Sequence, residues 1–328
     1  MLFDVHQALD RRGGLGLRRG LGRRAGWSVH GDEEYTEFVE SNVVDTPPMV
    51  EPPIMELTDE PELLVEHDGP VLTLTLNRPK RKNALTAGMV AGISEAVRSA
   101  GVDDETRVIL IRAHGTDFCS GIDLVQSNSR RSTDSGEPAR PRAGHMQRSF
   151  QDGAHGMILA LDGVQLPVVA AVQGWAAGIG NMLALSADVV VATPSTKFWV
   201  PFVTKGFTPD SGNTWLLPRL VGLARAKEMV MRGEPIDGTK AEQWGLISRC
   251  VPEAELGAAS AEVVDGFARA ATISVGLAKT LLHRNLDVDL RAGLHNEGIH
   301  EELAVRSDDF KEGMRAFAQK RSPDYTGR

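Results

Sequence analysis

Two glycine-centred segments decide how this chain folds, Phe118-Cys-Ser-Gly-Ile-Asp-Leu124 and Gln173-Gly-Trp-Ala-Ala-Gly-Ile-Gly-Asn181. Each follows a β-branched run that predicts a buried strand, Val108–Ile111 before the first and Val168–Val172 before the second. Each then passes through glycine into a more helical stretch, and the start of a helix presents unpaired backbone N–H groups. Two such groups that converge on one point form an oxyanion hole. The pattern therefore predicts a catalyst that stabilises an enolate or a tetrahedral oxyanion.

The rest of the ordered chain alternates strands with helices. Val71–Leu76 alternates at period two and predicts a strand, whereas His145–Leu161 is expected to be one helix. The other predicted elements are a helix over Ala87–Ala100, a helix up to about Ala187, a strand over Val189–Ala192, a helix from about Asn213, a helix over Ala224–Met231, a helix over Lys240–Trp244 and a strand over Leu246–Val251. From Pro252 onward only helices are expected. The sequence therefore predicts an α/β core over residues 62–252 and a helical C-terminal subdomain over residues 253–328.

Residues 1–61 differ in composition from the remainder. Six arginines lie among glycines before residue 25, acidic residues follow, and no Lys or Arg occurs between Ala25 and Asn77. We expect a disordered extension, because such a segment buries little apolar surface. A targeting signal is the alternative for the arginines, but Ser is absent before Ser28 and no apolar run follows.

Whole-chain composition excludes several classes of protein. A formal net charge of −8 argues against nucleic acid as a partner. No apolar run approaches the roughly 18 residues of a membrane-spanning helix, so we expect no membrane partner. Two cysteines and nine scattered histidines fit no disulfide framework or metal-ligand spacing. We therefore expect a cytoplasmic protein with no metal.

Seven motifs in register resemble the crotonase superfamily of enoyl-CoA hydratases and isomerases, over about residues 62–328. They are Asn77-Arg-Pro with Asn83-Ala-Leu, Phe118–Leu124, Ala170–Gly180, Pro209-Asp-Ser-Gly, Leu217–Ala226, Ala241–Leu246 and the terminal Phe317–Tyr325. Within the superfamily, Pro209-Asp, Trp215–Arg219 and Lys320-Arg-Ser-Pro are most similar to the isomerases of phenylacetate degradation.

The resemblance implies a spiral of ββα units, assembled as a homotrimer or as a hexamer built from two trimers. It implies an acyl-CoA thioester as substrate and no separate cofactor. By position, the oxyanion donors are the N–H groups of Ile122, after Gly121, and Ile179, between Gly178 and Gly180. The resemblance also implies contacts with coenzyme A. They involve the backbone of Ser120, Gly121, Asp123 and Leu124, the basic turn Arg78–Lys82 with Lys82 in particular, and Phe317 and Lys320 toward a neighbouring subunit.

The chain departs from the hydratase pattern at two positions. Hydratases of this family use two glutamates, and here the corresponding residues are Met182 and Phe202. A thioether and a phenyl ring transfer no protons, so these residues are expected to form the pocket wall. Asp210 matches the acid/base aspartate of the Δ3,Δ2-type enoyl-CoA isomerases. The resemblance therefore favours an isomerase with Asp210 as its proton shuttle.

Other interpretations stay open from the sequence. Asp210 precedes a helix and could be only its N-cap, and the glycines could serve only tight turns. The chain could instead be a hydratase with a displaced base, an acyl-CoA hydrolase, or a crotonase homologue that binds acyl-CoA without catalysis. His145 and His155 are weaker catalytic candidates, and Cys119 is expected to be a small buried residue. The acyl group cannot be deduced.

Overall fold

The computed structural model describes residues 60–123 and 142–328. All but the last two residues of the predicted N-terminal extension lie outside these ranges. Residues 124–141 also lie outside them.

Strands and helices alternate up to residue 250, and helices follow. The strands are β1 (Leu63–Asp68), β2 (Val71–Leu76), β3 (Val108–Ala113), β4 (Val168–Val172), β5 (Trp175–Ala177), β6 (Val189–Ala192), β7 (Lys197–Trp199), β8 (Ile236–Asp237) and β9 (Arg249–Cys250). The α-helices are α1 (Ala87–Ala100), α2 (His145–Asp152), α3 (Ala154–Gly163), α4 (Ile179–Leu185), α5 (Asn213–Arg232), α6 (Gly238–Trp244), α7 (Leu256–Ala268), α8 (Thr272–Asn285), α9 (Leu290–Ala304) and α10 (Asp308–Gln319).

The strands form two sheets. The larger has the order β1-β2-β3-β4-β6-β9, in which β1 and β2 are antiparallel and the other neighbours are parallel. The smaller has the order β5-β7-β8. From β4 to β7 the consecutive strands alternate between the sheets, with β4 and β6 in the larger and β5 and β7 in the smaller. This alternation is the spiral of ββα units that the resemblance predicted.

The position of β4 in the core explains why its sequence is an uninterrupted apolar run. All five of its residues are buried, because helices or the second sheet cover both faces of a central parallel strand. The main cluster includes Leu74, Ile93, Ile111 and Phe198, all fully buried. The sequence pattern predicted β2, β3, β4 and β6, but it did not predict β7, on which Phe198 lies.

One predicted helix is wrong. Residues His145–Leu161 form two helices, α2 and α3, which meet at Gly153. The backbone of Gly153 has φ −97° and ψ −112°, outside the helical region, and glycine adopts such angles at little cost. The apolar periodicity continues across the break, so it did not reveal the change of direction.

The C-terminal helices are joined to the core by a partly buried ion pair. Lys279 on α8 is 7% exposed, and its Nζ lies 2.8 Å from Asp188 Oδ2. The same carboxylate oxygen accepts a hydrogen bond of 2.7 Å from the N–H of Val168 at the start of β4. Lys279 therefore links α8 to the first residue of a central strand.

The C-terminal segment folds back onto α10 and the core. The buried carboxylate of Asp309 accepts the N–H groups of Thr326 and Gly327 at 2.7 and 2.9 Å. Glu312 binds the Arg321 guanidinium at 2.6 Å, and this hydrogen bond lowers the pKa of the Glu312 carboxyl from 4.5 to about 2.

Among the described residues, no helix is long and apolar enough to cross a bilayer.

Candidate active site

The first glycine segment runs beside Leu85 as an extra edge of the smaller sheet. Leu85 forms a parallel bridge with Ile122: its N–H donates to Gly121 O at 2.8 Å, and its carbonyl accepts the N–H of Asp123 at 2.9 Å. In a parallel bridge the N–H and C=O of one residue make both inter-strand hydrogen bonds, so the N–H of the opposite residue points away from that strand. The Ile122 N–H is therefore directed away from Leu85. Gly121 reaches this geometry with φ +108°, which favours glycine.

The second glycine segment delivers its N–H group at the start of a helix. Gly178 donates its own N–H to Trp199 O at 2.9 Å and adopts φ +57° and ψ −121°. Ile179 is the first residue of α4, and the first N–H groups of a helix have no intrahelical acceptor. The Ile179 N–H is therefore available to a ligand.

The two segments are in direct contact. The Cys119 N–H donates to Trp175 O at 2.7 Å, and the Ala177 N–H donates to Cys119 O at 2.9 Å. A Cβ placed on Gly180 would lie 2.5 Å from Cys119 Sγ and 2.6 Å from Cys119 O. Glycine at position 180 is thus required for the approach, and the predicted pair of N–H donors lies on adjoining backbone segments.

Asp210 lies in the loop before α5, and its carboxylate does not cap that helix. The N-cap is Gly212, with φ +89° and no side-chain cap bond. The Asp210 carboxylate instead accepts the Ser211 hydroxyl at 2.8 Å, while its main-chain carbonyl accepts both the N–H and the Nδ2 of Asn213. The interpretation of Asp210 as a helix cap is therefore wrong.

Met182 and Phe202 connect the glycine segments with the Asp210 loop. The resemblance implies that hydratases have their two glutamates at these positions. Met182 is fully buried, and its Cε lies 3.5 Å from a Cβ placed on Gly212. Phe202 Cζ lies 4.0 Å from a Cβ placed on Gly178. The structure thus brings Met182, Phe202, Gly178 and the Asp210 loop into one neighbourhood whose wall is apolar.

The residues predicted to contact coenzyme A differ in their exposure to solvent. The Lys82 side chain is 58% exposed, 3.8 Å from Asp117 Oδ2, and Ser120 is exposed. Asp123 is half-buried and forms an ion pair of 3.0 Å with Arg78. Leu124 lies outside the described residues.

The predicted contacts to a neighbouring subunit lie at the other end of the chain. Phe317 on α10 is 82% exposed. Lys320 is exposed as well and adopts φ +53° just after the helix ends. Both side chains are accessible to a ligand or to a second chain.

Cys119 and the two candidate histidines are not arranged for chemistry. Burial raises the pKa of the fully buried Cys119 thiol to about 12, so it stays a neutral thiol at neutral pH. His145 is exposed at the start of α2, and the His155 ring packs 5.4 Å from the ring of Phe150. Within the described ranges no three His, Cys, Asp or Glu side chains cluster as metal ligands.

Sequence reasoning missed the hydrogen bonds that hold the first glycine segment. Asn83, with φ +51°, donates from Nδ2 to His114 O and Asp117 O at 2.9 and 2.7 Å. Asp117 Oδ1 in turn accepts the Trp175 N–H at 3.0 Å. The signal was present in the motif Asn83-Ala-Leu, but only coordinates identify carbonyls about thirty residues away as its partners.

The chain is similar to known proteins in both sequence and fold. The sequence profile of the family described as Enoyl-CoA hydratase/isomerase matches residues 66–328. The chain is 35% identical over 268 residues to the 1,2-epoxyphenylacetyl-CoA isomerase of Escherichia coli strain K12, covering 81% of this chain and 99% of that relative. It is 33% identical over 267 residues to the 2,3-dehydroadipyl-CoA hydratase of the same strain, covering 81% and 99%. The crystal structure of an enoyl-CoA hydratase from Bacillus anthracis superposes with a TM-score of 0.73 at 28% identity, covering 82% of this chain and 100% of that one.

Proposed function

The chain belongs to the enoyl-CoA hydratase/isomerase family, and on that premise we propose that it is an acyl-CoA isomerase that moves a double bond through a dienolate. The observation that carries the proposal is the pairing of two backbone donors with a single carboxylate beside an apolar wall. Relatives of this family are named both isomerase and hydratase, so the family alone does not choose. The choice of isomerase follows from Met182 and Phe202, which stand where the resemblance expects the two hydratase glutamates.

The proposed reaction needs only one base. The thioester carbonyl oxygen binds between the N–H groups of Ile122 and Ile179. The Asp210 carboxylate takes a proton from C2 of a 3-enoyl-CoA, and the electron pair delocalises into the thioester as a dienolate. The protonated Asp210 then returns a proton at C4, which leaves a 2-enoyl-CoA and regenerates the carboxylate. Loss of one oxyanion donor costs about 2.7–4 kcal/mol of transition-state stabilisation in other enzymes, so the donor pair would supply much of the rate.

The surroundings of Asp210 support this role. Ser211 donates to Asp210 Oδ1 at 2.8 Å, which leaves the second carboxylate oxygen for the substrate. The neighbouring wall, Met182 and Phe202, offers no group that would activate water. An apolar wall also excludes the water that hydration or hydrolysis would consume.

For coenzyme A we propose contacts with the exposed Lys82, with the backbone of Ser120, Gly121, Asp123 and Leu124, and with Phe317 and Lys320 across a subunit boundary. Two further interpretations remain as outcomes of the test. One is a hydratase or hydrolase with a base elsewhere, and the other is a protein that binds acyl-CoA without turnover.

The deciding experiment is mass-resolved turnover of 2-enoyl-CoA and 3-enoyl-CoA substrates of several chain lengths, with Asp210→Asn alongside. A double bond that shifts at constant mass, and stays in place in the variant while coenzyme A still binds, supports the isomerase. A gain of one water contradicts it, and binding without turnover on every substrate favours the non-catalytic alternative. The matched control is Asp289→Asn: Asp289 caps α9 through its bond to the Ala292 N–H, and asparagine caps helices equally well.

A homotrimer, alone or doubled into a hexamer, is our proposal for the assembly. Large apolar side chains on α8 and α9 and between them are exposed to solvent, with Leu282 71%, Leu290 78% and Leu303 52% accessible. Contiguous exposed apolar surface is typical of protein–protein interfaces. Light scattering coupled to size-exclusion chromatography measures the state directly, and a monomer at micromolar concentration would refute the proposal.

A further inference from the structure

One guanidinium group holds the backbone on both sides of the Leu85–Ile122 bridge. The Arg78 side chain is 12% exposed, and its Nη1 donates to Ala84 O at 2.5 Å. Its Nη2 lies 3.0 Å from Asp123 Oδ2. Ala84 precedes Leu85 and Asp123 follows Ile122, so Arg78 contacts the residue adjoining each half of the bridge. These are the segments whose pairing directs the Ile122 N–H.

Arg78 is also held in place by Glu62 and Asn83. Its Nε lies 2.9 Å from Glu62 Oε1, and the second oxygen of Glu62 accepts the Thr86 hydroxyl at 2.8 Å. The main-chain N–H of Arg78 donates to Asn83 Oδ1 at 2.7 Å, and the Asn83 N–H returns a bond to Arg78 O at 3.0 Å. A planar guanidinium with several donors in a fixed fork suits this task, whereas an ammonium does not.

The charges around Arg78 also decide against a phosphate ligand. Two carboxylates, Glu62 and Asp123, already pair with its guanidinium. A coenzyme A phosphate would have to displace them and leave negative charge next to negative charge. Lys82, which is 58% exposed, is better placed for the phosphate among these residues. The expectation that the whole basic turn faces coenzyme A therefore does not extend to Arg78.

We propose that Arg78 is a positioning residue of the oxyanion hole, which sets the direction of the Ile122 N–H through Ala84 and Asp123. The inference rests on the proposed function in one respect, that the Ile122 N–H receives the thioester oxygen. It assigns no contact between Arg78 and the substrate. A 1 Å displacement of a catalytic group can cost about 100-fold in rate, so a loosened bridge has a measurable consequence.

The test compares Arg78→Lys and Arg78→Gln with wild type in two measurements. The first is the separation of kcat from KM with a 3-enoyl-CoA. The second is the carbonyl stretching frequency of bound hexanoyl-CoA labelled with 13C at the thioester carbon, which reports polarisation without any turnover. We expect kcat to fall by about 10- to 100-fold, KM to stay within about threefold, and the downshift of the carbonyl frequency to shrink. Lysine keeps the charge but not the fork, so Arg78→Lys is expected to resemble Arg78→Gln.

Arg112→Gln is the matched control. Arg112 also joins neighbouring strands, through Glu66 at 3.5 Å and the Thr75 hydroxyl at 3.0 Å, and it has no assigned role in the site. It should lose some thermal stability and keep both kcat and the carbonyl frequency. If the Arg78 variants do not fold, Asp123→Asn removes the charge of one partner with almost no change of volume, and the same decrease in polarisation is expected.

Three results would overturn the inference. A KM increase of more than about tenfold with unchanged kcat would make Arg78 a phosphate ligand. An unchanged carbonyl frequency in both Arg78 variants would show that the bridge does not depend on the guanidinium. Failure of the isomerase proposal is distinguishable, because the carbonyl measurement uses a saturated thioester that no isomerase converts. Loss of turnover in Asp210→Asn with normal Arg78 variants would refute the inference alone.

Discussion

Gly180→Ala should separate the two glycine segments and with them the two N–H donors. The added Cβ would lie 2.6 Å from the Cys119 carbonyl oxygen and 2.5 Å from its sulfur. Ordinary van der Waals contact begins at 3.4 Å, so the backbones must part by about 0.8 Å. The sulfur could rotate away, but the carbonyl oxygen belongs to the Cys119–Ala177 hydrogen bond and cannot yield without moving the segment.

The displacement is close to the 1 Å that costs about 100-fold in rate when catalytic groups are misplaced. Overpacking of a filled core also costs about 1–3 kcal/mol of folding free energy. We therefore expect kcat to fall by about two orders of magnitude, measured on the best enoyl-CoA substrate. Denaturant unfolding followed by circular dichroism measures the accompanying loss of stability.

Gly266→Ala on α7 separates this effect from the general consequences of adding a methyl group. A Cβ at Gly266 would meet no atom within 4 Å, and alanine is the better helix former by about 1 kcal/mol. This control should be at least as stable as wild type, with the same kcat. Wild-type kcat in a folded Gly180→Ala variant would refute the view that contact between the glycine segments sets the oxyanion hole.

Three further predictions concern groups outside the proposed chemistry. Lys279→Ala removes the partner of the Asp188 carboxylate, and because that carboxylate is partly exposed, urea unfolding should show a loss below the about 3–5 kcal/mol that breaking a fully buried pair costs. The Arg321 guanidinium lowers the pKa of the Glu312 carboxyl from 4.5 to about 2 in the folded protein. Glu312→Gln should therefore destabilise the protein above pH 4.5, where the carboxylate is charged in both the folded and the unfolded state, and the difference in stability from wild type should vanish as the pH falls toward 2. Iodoacetamide at pH 8 should leave Cys119 unlabelled until the protein is unfolded, as mass spectrometry of the peptides can verify, because burial raises the pKa of that thiol to about 12.

The sequence predicted the elements that have a single local cause. Alternation gave Val71–Leu76 as a strand with the observed bounds, and periodicity gave the helix over Ala87–Ala100. The switch to helices after Pro252 was also visible, because the β-branched runs end there. The break at Gly153 was missed, since one glycine inside an apolar period does not reveal the backbone angles that it adopts.

The candidate site was predictable only to the level of its backbone motifs. Gly121, Gly178 and Gly180 were expected to shape the segments that carry the N–H donors or to serve only tight turns. The structure accounts for each by a positive φ or by the contact with Cys119. The bonds that fix these segments join residues far apart in sequence, such as Arg78 to Asp123 and Asn83 to His114. Spacing along the chain contains no record of such pairings, so the sequence did not predict the ion pairs of Arg78 with Glu62 and Asp123.

Backbone groups are proposed to bind the oxyanion, whereas side chains are proposed to transfer protons. This separation explains how one fold accommodates both isomerase and hydratase relatives. The donors proposed for the oxyanion are main-chain N–H groups, whose direction depends on the bridge at Leu85 and on the start of α4 rather than on the side chains of Ile122 and Ile179. Substitutions on the neighbouring wall can therefore change the proton chemistry while the oxyanion geometry stays the same. Met182 and Phe202 lie on that wall next to the glycine segments and the Asp210 loop. We therefore expect the side chains at these two positions, together with Asp210, to determine whether the enzyme isomerises or hydrates its substrate.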